Sequence, residues 1–173
     1  RARTAQGIST PLPFVVGNLP EVVEEEQAGE PQADTVALPV TINGRIFPRE
    51  DVDLWSFPAE ANRPLQLILA TSEFGSPLEG MLEVLDPAGR VVAEATSQLR
   101  RDPQLRFTPA VSGPHIIRIR DVRSSGLQNH IYRLTITAGP WLESCFPLGG
   151  KAGTALKLTA QGLGLEGHVL EVT

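Results

Sequence analysis

From Thr35 to Thr137, short β-branched or leucine-rich runs alternate with turn signals, the spacing of an all-β sandwich. Thr35 to Ile42 is apolar enough for a strand and runs into Asn43-Gly44, a dipeptide suited to positive φ, which predicts a hairpin or tight turn. In Asp53-Leu54-Trp55-Ser56-Phe57 the aromatic pair falls two apart, so Trp55 and Phe57 share one strand face, expected to be buried. Leu65, Leu67 and Leu69 repeat the period of two. Leu82 and Val84, then Asp86-Pro87-Ala88-Gly89, then Val91-Val92-Ala93 read as strand, turn and strand, the clearest hairpin in the chain. Phe107 precedes a turn at Ser112-Gly113-Pro114. His115 to Arg120 and Ile131 to Thr137 follow as two more paired strands, separated by a polar loop around Ser124-Ser125-Gly126. The expected core is Trp55, Leu67, Leu69, Leu82, Val84, Phe107, Ile117, Ile119, Tyr132 and Leu134.

The ends carry a different pattern. Pro20 to Pro31 holds Glu21, Glu24, Glu25, Glu26 and Glu30 with little apolar content, and reads as a solvated linker or a single proline-started helical turn. Beyond Gly139-Pro140, a glycine-rich connector leads to two short strands, Ala155 to Ala160 and His168 to Val172, with too few partners to make a domain of their own. The expected organisation is therefore 1–19 as the remnant of a preceding β module, 20–34 as an acidic linker, 35–139 as the sandwich, and 140–173 as the start of a following module.

Composition narrows the function classes. Sixteen glycines and fifteen prolines with only 5% aromatic residues favour turns over long helices. A formal charge of −5 gives no electrostatic case for nucleic acid or an anionic membrane as partner. No apolar run reaches the roughly 18 residues of a membrane span. The chain opens on Arg1-Ala2-Arg3 and reads as a piece of a longer polypeptide. Cys145 is the single cysteine, so no internal disulfide forms; its neighbours Trp141, Leu142 and Phe146 make it a buried or interfacial thiol.

The ordered run resembles a bacterial pre-peptidase C-terminal (PPC) domain over about residues 21–139. The features that carry the resemblance are the acidic lead-in Glu24-Glu25-Glu26, Leu38 to Gly44, Asp51-Val52-Asp53-Leu54-Trp55-Ser56-Phe57, Gly75-Ser76-Pro77-Leu78, Leu85-Asp86-Pro87-Ala88-Gly89, Phe107-Thr108-Pro109 with Ser112-Gly113, and Tyr132-Arg133-Leu134-Thr135-Ile136. The resemblance implies an antiparallel, two-sheet, jelly-roll-like β-sandwich and a non-catalytic binding, targeting or maturation role in large exported proteins. Arg3 to Ser9 looks like the last strand of an immunoglobulin-like module, and Phe146 to Thr154 like the opening of another.

That resemblance also supplies the metal candidates. Collagen-binding members have an ExEPND lead-in whose oxygens join acidic residues of the following strand region around Ca²⁺. Glu24 and Glu26 match it, Gln27, Ala28 and Gly29 replace the rest, and Asp51 and Asp53, with Glu50 beside them, stand in the strand region. Calcium takes six to eight oxygens, and the linker must fold back for these groups to meet. Glu24, Glu26, Asp51 and Asp53 are thus the calcium candidates, with calcium expected to matter little to stability and no other cofactor expected.

Other chemistry is sparse. Gly162-Leu163-Gly164-Leu165-Glu166-Gly167 has GxGxxG spacing but is followed by a strand pattern, so it reads as a glycine-rich turn and no nucleotide is expected. No serine sits in GxSxG, and His115, His130 and His168 lie outside metal spacings, each expected at a strand end. Phe74 is the aromatic of the central block expected to be exposed. The function expected is a non-enzymatic spacer or macromolecule-binding module of an exported bacterial protein, extracellular, at the cell surface or periplasmic. The alternative is a carbohydrate- or protein-binding domain attached to a secreted hydrolase. Expected partners are the flanking domains of the parent chain and an extracellular polysaccharide or protein. Leu12 to Val16 and Ala155 to Thr159, as orphaned strands, are expected to pair with each other, to pair with a second molecule in edge-strand self-association, or to be disordered.

Overall fold

A computed structural model of the protein describes residues 1–26, 29, 31–98 and 101–172; the lead-in replacements Gln27 and Ala28 lie outside the described residues. In chain order the strands begin with β1 Arg3–Thr4, β2 Gly7–Ile8, β3 Glu21–Val23, β4 Asp34–Thr35, β5 Val40–Arg45, β6 Val52–Ala59 and β7 Leu65–Ala70. They continue with β8 Gly80–Leu85, β9 Val91–Thr96, β10 Gln104–Phe107, β11 Gly113–Asp121 and β12 Ile131–Thr137, then β13 Ser144–Phe146, β14 Leu156–Gln161 and β15 Val169–Val172.

Ten of these make two five-stranded sheets, ordered β10-β7-β12-β5-β3 and β4-β6-β11-β8-β9. Period-two alternation drives their packing, because each strand puts every second side chain on the inner face. On β6 the inward positions are Asp53, Trp55, Phe57 and Ala59, and on β11 they are His115, Ile117, Ile119 and Asp121. Trp55 pairs with Ile117, which pairs in turn with Val84. Leu134 lies between Ile42 and Leu69 on the facing sheet. All ten expected core residues are buried in one cluster running from Val36 to Ile136. The chain is an all-β two-sheet sandwich.

Three local expectations are corrected. Asn43-Gly44 is not a turn: it lies inside β5, paired with Arg133 and Tyr132. The strands β11 and β12 do not pair with each other; β11 joins β6 and β8 while β12 joins β5 and β7, so the polar loop between them crosses from one sheet to the other. Among its described residues the acidic segment is neither wholly solvated nor helical. Glu21–Val23 adds to the first sheet, parallel to β5, and Val22 packs against the core. The Asp86–Gly89 hairpin forms as read, with Gly89 at φ 77° and the Asp86 carboxylate accepting from the amides of Ala88 and Arg90.

The flanks form separate small sheets. Strands β1 and β2 pair as a short exposed hairpin, while β13, β14 and β15 make a three-stranded antiparallel sheet. Leu12 to Val16 holds no strand, and Ala155 to Thr159 feeds β14, so the two flanks do not pair with each other. Phe146 is exposed, and the GxGxxG run is the turn between β14 and β15. Among the described residues no helix is long and apolar enough to cross a membrane.

Candidate functional site

Where the lead-in meets the sandwich, acidic side chains enter the protein. Strand β3 is held on β5 by Thr41 N–H donating to Pro20 O at 2.8 Å and Glu24 N–H to Asn43 O at 2.9 Å. Arg133 and Asn43 donate to the Glu21 carboxylate, and these hydrogen bonds keep Glu21 below the usual carboxylate range. One residue past β3 the chain turns Glu24 inward, where its Oε2 accepts the Arg45 amide at 2.8 Å. Glu26 pairs with the Arg45 guanidinium at 2.6 Å.

Asp53 reaches the same place from β6. Alternation puts it on the inner face with Trp55, where it is 7% exposed. Across the sandwich Tyr132 comes from β12, and its phenolic oxygen accepts the Trp55 indole N–H at 3.0 Å. The Tyr132 phenol and the Glu24 carboxyl both lie close enough to Asp53 to act on its charge. Oδ2 of Asp53 has no hydrogen-bond partner. Burial, followed by the neighbouring Glu24, pushes the Asp53 carboxyl up to about 9. Burial raises Glu24 as well, and it holds the Tyr132 phenol well above its ordinary value.

The floor of this site is Gly44. A β-carbon there would stand 2.4 Å from the Tyr132 hydroxyl oxygen and 2.7 Å from Glu24 Oε2, so the close approach needs glycine. A cleft of about 50 Å³, lined among others by Glu24, Gly29, Asp34, Asp51 and Asp53, lies between the lead-in and the start of β6.

The four sequence candidates are therefore only partly brought together. Glu24 and Asp53 meet. Asp51 stands near them but accepts the Phe47 amide on Oδ2 at 3.0 Å and its neighbour's, Val52, on Oδ1 at 2.9 Å. Among the described residues no group of three His, Cys, Asp or Glu side chains is gathered to hold a metal. The donor chemistry nonetheless suits a hard cation: two facing carboxylates, one with an unpartnered buried oxygen, require a shared proton or a positive ion to offset their repulsion. Water would have to complete a calcium shell at this pair.

The histidines do other things. His115 is buried within β11 between the rings of Phe57 and Phe107, at centroid distances of 6.0 and 5.6 Å, and so belongs to the core and not to a strand end. His130 is buried just before β12, and His168 is exposed just before β15. Phe74 is half-buried and not exposed, because it lines a groove of about 820 Å³ beneath the arm Pro13 to Gly17. Cys145 is half-buried. Sequence reasoning missed Tyr132 and Gly44 as parts of the site.

No protein-family model and no curated protein matches the chain. Among solved structures it is similar to the pre-peptidase C-terminal domain of collagenase from Bacillus anthracis, at 12% identity and a TM-score of 0.49, over 64% of this chain and 100% of that one. The chain is similar to a PPC domain. A second similar structure is PliG of Aeromonas hydrophila, a periplasmic lysozyme inhibitor of g-type lysozyme, at 14% identity and a TM-score of 0.45, over 68% of this chain and 95% of that one.

Proposed function

We propose that the chain is a non-catalytic β-sandwich module of an exported bacterial protein, spacing its neighbours or binding a macromolecule, and, in place of the expectation that calcium matters little to stability, that Glu24 and Asp53 would hold one calcium ion. The observation that carries this reading is the buried, unpartnered Oδ2 of Asp53 beside Glu24. The lead-in's return as a parallel strand supports it, since folding back was the condition for these carboxyl groups to meet. Glu24 and Asp53 would hold the ion, which would supply charge neutralisation; no reaction is assigned to it.

The test is a calcium titration of the full chain followed by calorimetry and thermal melting. Calcium at a hundred times Kd stabilises the native state by about 2.7 kcal/mol, which shifts the melting temperature by several degrees. Asp53→Asn should abolish both the heat and the shift. No binding heat in millimolar calcium, or an undiminished shift in Asp53→Asn, would overturn the reading.

A further inference from the structure

We propose that the open edge of β9 is the docking surface for a second copy of this chain, the two β9 strands pairing antiparallel across a two-fold axis so that the second sheet runs from one molecule into the other. Strand β9 ends the sheet ordered β4-β6-β11-β8-β9, and among the described residues no strand lies on its far side. The other rims of the two large sheets are shorter: β3 has three residues, β4 two and β10 four. Strand β9 has six, Val91-Val92-Ala93-Glu94-Ala95-Thr96, with Glu94 as its single charge and neither proline nor lysine. Such an edge keeps a row of backbone donors and acceptors open to another strand.

The register says which backbone groups those are. Just past the strand, Ser97 N–H donates to Gly80 O at 2.9 Å. Hydrogen-bonded pairs recur at every second position of an antiparallel ladder, so Ala95 opposite Leu82 and Ala93 opposite Val84 turn their backbone groups to β8. Glu94 and Thr96 turn theirs to the open side. A two-fold axis through Glu94 would set two carboxylates opposite each other, which is destabilising. An axis through Ala93 would draw on the start of β9, where a bulge at Val84 and Leu85 breaks the register, and an axis through Thr96 would carry half of the pairing past the end of the strand. The axis therefore passes through Ala95. Glu94 then lies opposite Thr96 of the second copy, and Thr96 opposite its Glu94, each pair exchanging both N–H to O bonds. The carboxylate meets a hydroxyl instead of its own kind, so the charge pattern of this edge is complementary to itself. The contact is isologous and closes at the dimer.

The experiment is sedimentation equilibrium of the full chain over a range of concentrations, with amide hydrogen exchange read alongside. The parent is expected to show a monomer–dimer equilibrium with no larger species, and exchange at Glu94 and Thr96 should slow as concentration rises. Thr96→Pro removes an outward N–H and spares the β8 ladder, a place where edge strands tolerate proline. It should dimerise at least about 10-fold more weakly, because the axis repeats the lost bond on both copies. Thr96→Glu should also weaken the dimer, by setting like charges opposite each other, and high salt should relieve the loss. Adding Glu94→Lys to Thr96→Glu should restore the dimer. If Thr96→Pro fails to fold, these two charge variants decide. A parent that stays monomeric up to millimolar concentration overturns the proposal, whether the edge then stays open or takes a strand of another protein. Dimers of parental strength in Thr96→Glu place the contact elsewhere, on the flanking strands, and overturn it too. So does growth beyond the dimer, or a failure of Glu94→Lys to restore what Thr96→Glu removes.

Discussion

Gly44 and Tyr132 approach so closely that a β-carbon on residue 44 would stand 2.4 Å from the phenolic oxygen. Replacing Gly44 with alanine must therefore push Tyr132 or the β5 backbone aside. Gly44→Ala is expected to cost about 1–3 kcal/mol, the usual scale of overpacking, measured by urea unfolding. Unchanged stability would mean that the ring has room to move and that Gly44 has no role as the floor of the site.

A second expectation concerns the far side of the core. Phe107 on one sheet and Phe57 on the other enclose His115, and all three are buried. Phe57→Ala or Phe107→Ala should each lower stability by about 3–5 kcal/mol in denaturant unfolding. A loss below about 1 kcal/mol would show that the two sheets close over the gap.

Acid sensitivity has an identifiable source on the outer face of the second sheet. The Arg118 guanidinium donates to both oxygens of Glu83, at 2.7 and 2.8 Å, and these bonds hold Glu83 below its usual range. The unfolded chain then binds more protons than the folded one as pH falls through the ordinary glutamate range. The contribution is complete above that range and lost as pH drops through the folded value. Glu83→Gln should cost about 1.5–3 kcal/mol at neutral pH and flatten this part of the stability profile. A variant as acid-sensitive as the parent would assign the effect elsewhere.

The C-terminal sheet should be dispensable. The buried core cluster ends at Ile136, with Ala138 packed on its margin, and the ion pair from Arg106 to Glu166 is solvent-exposed. A chain ending at Gly139 is expected to keep its melting temperature within a few degrees, because an exposed pair contributes at most about 1 kcal/mol. Limited proteolysis between 140 and 153 should leave a stable central fragment. Unfolding of that fragment would make residues 141–173 integral to the sandwich.

Much of the sandwich was legible because alternation is read locally: Trp55, Leu67, Val84 and Ile117 each sit two residues from another inward side chain. The same period puts Asp53 on the Trp55 face, so a buried carboxylate was implicit in the strand pattern. Pairing was less legible. Asn43-Gly44 favours a turn in isolation, but Tyr132 and Glu24, far apart in sequence, override that preference by occupying the space beside Gly44. The lead-in was read as solvated because its glutamates outnumber its apolar residues. Its apolar side chain Val22, packed against the core, and the open edge of β5 give it a place in the sheet. Tyr132 carries no local signal for a role in the site, since only the crossing of the two sheets brings it to Asp53.

The short stretch from Glu21 to Thr35 contributes β3 to the rim of one sheet and β4 to the rim of the other. One segment therefore covers an outer strand, β5 or β6, on each layer. A single nick that lets this segment peel away bares backbone donors and acceptors on both layers at once, on two strands long enough to template a neighbour. The molecule would then have a longer growth front on each layer in place of the short edge strands β3 and β4, and its tendency to polymerise would depend on whether the lead-in stays attached.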